Sequence, residues 1–76
     1  MRVIVVGAGE VGFHVAERLA AERHDVVVVD VSAERLDYVS SHLDVAVLEG
    51  SGVSPAVLEQ AGIKEARLLK IGRAHV

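Results

Sequence analysis

Apolar positions along this chain fall into short solid runs separated by stretches of helical spacing. Residues 3–6 read Val-Ile-Val-Val and stop at Gly7. A β-branched run of that length, ended by glycine, predicts a buried strand. From Glu10 to Glu22 the period becomes helical. Gly12, Val15, Ala16, Leu19 and Ala20 share one face, and Glu10, His14, Glu17, Arg18 and Ala21 fall on the opposite arc. Residues 26–29 form a second apolar run ending at Asp30. Ser32 then suits the N-cap of a second helix, with Glu34 in its first turn. Leu36, Val39, Ser40 and Leu43 supply that helix's inner face. Residues 45–48 predict a third strand and Gly50-Ser51-Gly52 a loop. Ser54 caps a third helix, Pro55 occupies its first position, and Gly62 stops it. Val57, Leu58 and Ala61 of that helix face inward, and residues 66–69 begin a fourth strand.

The order is βαβαβαβ. Strands without polar alternation, joined by helices with one apolar face, imply a parallel sheet covered on both sides. Right-handed crossovers then give strand order 3-2-1-4, the N-terminal half of a Rossmann-like doubly wound α/β fold.

Composition narrows the function. A chain of 76 residues is one small domain with a thin stability margin. The net charge of −3 offers no basic face for nucleic acid. With no cysteine, disulfide and thiol chemistry are absent. No apolar run approaches the ~20 residues a membrane span needs, and the run before Gly7 is too short for an export signal. A soluble cytoplasmic domain is expected.

The last residues, Lys70 to Val76, do not continue the pattern. Lys70 and Gly72 break the fourth strand, and Arg73 and His75 follow without periodicity. One back-translation of the segment resembles a common sequencing adapter. Residues 70–76 are therefore read as a non-native tail and residues 1–69 as a truncated domain.

The chemistry-bearing motif is Gly7-Ala8-Gly9-Glu10-Val11-Gly12. Gly7 permits a tight turn out of the strand, Gly9 lets a pyrophosphate approach the backbone, and Gly12 lets the helix pack on the strand. The helix start offers free N–H groups and partial positive charge to phosphates. Asp30 ends the next strand 18 residues beyond Gly12, near the ~20 expected for an acid that binds the adenosine ribose. Its charge repels a 2′-phosphate, and Val31 and Ser32 add no cation, so NAD is favoured over NADP. Glu10 contributes backbone contacts only. The segment Gly50 to Gly52 reads either as a loop against adenine or ribose, or as a flexible turn before a capped helix. His14 lies on the polar arc of the first helix, His24 and His42 lie near helix ends, and His75 lies in the tail. No pair has metal-ligand spacing on one face, and no catalytic set is visible.

The runs MRVIVVGAGEVGFHVAERLAAERHDVVVVDVSAERLDYV and LDVAVLEGSGVSPAVLEQAGIKEARLL closely resemble the N-terminal nucleotide-binding domain of Trk-type potassium-uptake regulators, the TrkA-type proteins of the RCK (regulator of K⁺ conductance) group. Gly7 to Gly12 with Glu10, Asp30, and Gly50 to Pro55 carry the resemblance. The family's loop after the third strand often has Asp or Asn where this chain has Ser51, and Thr where it has Val53. The resemblance implies a regulatory subunit and not an enzyme. It implies a homo-oligomer on the cytoplasmic face of a membrane potassium transporter, binding NAD(H) or, in relatives, ATP or ADP. By matching positions, Gly7 to Val11 hold phosphates, Asp30 the ribose, and Ser51 and Gly52 the nucleoside side. The alternative is the N-terminal fragment of an NAD-dependent oxidoreductase, since fold alone does not set function.

Overall fold

Each apolar run becomes a strand, and each helical stretch returns the chain to start the next one. The computed structural model describes residues 1–71. The elements are β1 (Arg2–Val6), α1 (Glu10–Ala21), β2 (Asp25–Asp30), α2 (Ala33–His42), β3 (Ala46–Glu49), α3 (Pro55–Ala61) and β4 (Ala66–Lys70). A single 3-10 turn, Ile63–Glu65, separates the last two. All pairings are parallel, and the sheet order is β3-β2-β1-β4, as the sequence predicts.

Alternate side chains of the central strands enter two different cores. Val3, Val5, Val26 and Val28 pack with Ala16 of α1 and with Leu36 and Val39 of α2. Ile4, Val27 and Val29 pack with Ala61 of α3 on the other side. Period-two geometry makes this division inevitable for solid apolar runs, and it places helices on both faces.

The expected helix signals act as read. Ser32 accepts a hydrogen bond from the Arg35 N–H at 3.2 Å, and Ser54 accepts one from the Val57 N–H at 3.4 Å. Gly62 closes α3 in the left-handed region, at φ 91°. Ser40 departs from expectation. It is exposed, and its hydroxyl donates to the Asp37 carbonyl instead of facing the core.

Strand ends also shift. β1 and β2 start one residue early because Arg2 and Asp25 are partners in register and form a 2.8 Å ion pair. β3 starts at Ala46 and runs to Glu49, opposite Asp30. Lys70 does not break β4. It pairs with Val6 while its side chain stays exposed, and the Ile71 N–H donates to the Val6 carbonyl at 2.8 Å. The backbone ladder is indifferent to that lysine, and Ile71 packs against the α1 and α2 side of the core. Gly72, Arg73 and His75 lie outside the described residues.

Candidate functional site

The strand ends β1, β2 and β3 deliver three loops to the carboxyl edge of the sheet. The first follows β1. Gly7 takes φ +115°, a conformation that side chains oppose, and its N–H donates to the Val29 carbonyl at 2.8 Å. Its own carbonyl lies against α1, where a Cβ on Gly12 would stand 1.8 Å from that oxygen. Gly12 is buried there. The outer glycines of the motif thus serve the turn and the helix packing.

Gly9 is different. It is the N-cap of α1 in extended backbone, which any residue adopts. A Cβ built on it would meet nothing closer than Nη1 of Arg35, at 3.7 Å. Packing among the described residues does not call for glycine at this position. The α1 start carries no side-chain cap, so its first N–H groups keep no side-chain acceptor.

Asp30 links the first two loops. Its Oδ2 accepts from the Ala8 N–H at 2.7 Å and its Oδ1 from the Ser32 N–H at 2.8 Å. Ala8 is buried and Asp30 half-buried. A carboxylate has about four lone-pair sites, so each oxygen keeps capacity for a further donor. The third loop joins them from β3. The Gly50 N–H donates to the Asp30 carbonyl at 2.9 Å, and a Cβ on Gly52 would stand 2.2 Å from Val6. Ser51 Oγ accepts from the Val53 N–H at 3.2 Å, making a local turn.

All the residues marked out by the sequence therefore line one edge, in different capacities. Ala8 and Asp30 are directly bonded, Gly52 presses on the end of β1, and Glu10 and Val11 are exposed at the helix start. Beside the loop opens a groove of about 370 Å³, walled by Ala8, Gly9 and Glu10, by His14 of the polar arc, and by three residues the sequence reading passed over: Phe13, Arg35 and Tyr38. Arg35 and Tyr38 are three apart, so they share a face of α2. That this face meets Gly9 depends on how α2 lies against α1, which spacing does not reveal.

The three histidines among the described residues each make a polar contact near the surface. His14 approaches Glu17 at 3.4 Å, His24 approaches Glu22 at 3.8 Å, and His42 Nδ1 lies 2.7 Å from the Tyr38 carbonyl. Among the described residues no cluster of three metal-binding side chains forms, and no helix is long and apolar enough to cross a membrane.

The family model of the TrkA-N domain matches residues 3–73. The chain is 48% identical over 69 residues to the Trk system potassium uptake protein TrkA of Azorhizobium caulinodans, covering 91% of this chain and 15% of that protein. It is 41% identical over 66 residues to a Trk system potassium uptake protein TrkA homolog of Archaeoglobus fulgidus, covering 87% of this chain and 15% of the relative. The crystal structure of the TrkA-N domain of the inner membrane protein ybaL from Escherichia coli superposes with a TM-score of 0.80 at 26% identity, covering 91% of this chain and 51% of that one.

Proposed function

The chain belongs to the TrkA-N domain family, and on that premise we propose that it is the nucleotide-sensing part of a regulator of potassium uptake and not an enzyme. Residues 1–69 are read as the N-terminal half of the nucleotide-binding domain. One observation carries the ligand reading. Gly9 is open where nothing among the described residues needs glycine, at an uncapped helix start one residue from the Asp30 contact. Such a place suits a dinucleotide diphosphate, with Asp30 taking the ribose. NAD(H) is the ligand favoured, and ATP or ADP share the same adenosine and phosphate chemistry. Gly7 to Val11 hold the phosphates, and Ser51 and Gly52 border the nucleoside.

A regulator of this kind needs no reacting groups at the nucleotide. A ligand that prefers one of two conformations shifts the balance between them by its difference in affinity. The Trk system names of the relatives support a membrane potassium transporter subunit as the partner. The reading has a homo-oligomer contact that partner from the cytoplasmic side.

Calorimetry and thermal melts with NADH, NAD, ATP and NADPH test this. NADH is expected to bind and to raise the melting temperature more than NADPH. Binding of none of the four overturns the reading, and a larger rise with NADPH removes the role given to Asp30. Gly9→Ala separates binding from folding. Stability is expected to stay within about 1 kcal/mol, the scale of an N-cap exchange. NADH affinity is expected to fall by about tenfold or more, as for a lost charge-assisted contact. Unchanged affinity in a folded Gly9→Ala chain argues against phosphate approach at Gly9.

A further inference from the structure

We propose that Arg35 is the phosphate counter-charge of this site, reaching from α2 across the groove to a 5′-diphosphate seated at Gly9. The proposal rests on the nucleotide-binding reading above and adds a residue to it. The Gly7 to Gly12 loop holds no cation of its own and carries Glu10, whose charge opposes a phosphate. Arg35 is the cation lining the groove, with Nη1 3.7 Å from the position a Cβ on Gly9 would take.

Its placement makes little sense without an anion. Arg35 lies in the first turn of α2, where the helix dipole disfavours positive charge. Its guanidinium also faces the N-cap of α1, a second positive helix end. Among the described residues Arg35, like Arg23 and Arg67, takes part in none of the ion pairs, but it alone of these three lines the groove. The guanidinium and the uncapped start of α1 meet at a spot with no side chain in it. A diphosphate there meets both, and guanidinium binds phosphate oxygens in bidentate fashion. A 2′-phosphate offers the same chemistry from a different position. It is disfavoured because the ribose acid Asp30 already stands on that side.

Arg35 is exposed and its side chain supports no core contact, so Arg35→Ala is expected to melt like the parent chain. Adenosine, AMP, ADP, NADH and NADPH are titrated by calorimetry into the parent chain, Arg35→Ala and Arg35→Lys. ADP and NADH affinity are expected to fall about tenfold or more in Arg35→Ala, the scale of a charged hydrogen bond. AMP loses less, adenosine loses nothing, and Arg35→Lys recovers part of the loss. Equal losses for adenosine and ADP overturn the proposal, because they mean stacking on the base. Loss confined to NADPH also overturns it, placing the guanidinium at the 2′-position. Unchanged ADP affinity refutes it while leaving the nucleotide reading intact. If the parent chain binds none of the ligands, both fall together.

Discussion

Gly12→Ala is expected to destabilise the chain by about 2–4 kcal/mol, at or above the usual overpacking cost and a large fraction of the stability of a domain this size. The sign runs against helix propensity, which favours alanine over glycine by roughly 1 kcal/mol inside a helix. The added Cβ would sit 1.8 Å from the Gly7 carbonyl oxygen and 2.8 Å from its carbon. Both atoms are backbone, and Gly7 is itself held by its bond to Val29 and its positive φ, so no rotamer change relieves the overlap. The loop or α1 has to move, and either motion disturbs the core that Ala16 makes with the central strands. Urea unfolding followed by circular dichroism measures the effect. A midpoint at or above that of the parent chain means α1 stands farther from the loop than described.

Asp30→Ala is expected to fail twice over. Losing the carboxylate strands two backbone N–H groups, of which the Ala8 N–H belongs to a buried residue. An unmet buried donor costs about 1–3 kcal/mol, and NADH binding should weaken by a similar 1–3 kcal/mol through lost charged hydrogen bonds. Asp30→Asn separates the two losses. Its single oxygen can serve one of the N–H groups, so stability falls less, while the neutral amide still loses the ribose contact. Melts report the first effect and calorimetry the second. Equal stability and equal affinity in the alanine variant refute both roles.

Most of the fold was legible because each element carries its own local signal. The solid valine runs mark strands buried on two sides, Ser32, Ser54 and Pro55 mark helix starts, and Gly62 marks a stop. Short features without a period were missed, as with the 3-10 turn at Ile63–Glu65. Ser40 misled because spacing assigns a face but not a hydrogen bond, and its hydroxyl turns back on its own helix. Lys70 misled because charge marks a side chain's preference for water, not the backbone's capacity to pair. In the site, Gly7, Gly12 and Asp30 were readable from a motif whose spacing is mechanical. Arg35 was not, since its meaning arises only where α2 meets the first loop. Neither were the two N–H groups that Asp30 holds, because a sequence names an acid without naming its donors.

The two faces of the sheet are unequally clothed. One carries α1 and α2 over eight buried residues, and the other carries the seven-residue α3 over four. Resistance to opening is therefore graded through the domain. Amide protons around α3 and β4 are expected to exchange with solvent through local fraying, and those of β1 and β2 only when the whole domain opens, which hydrogen-exchange NMR would read. The Gly7 to Gly12 loop and Asp30 belong to the side expected to exchange slowly. The third loop, bearing Ser51 and Gly52, hangs from the fast one, so a nucleotide that touches both stitches a labile unit to a durable one.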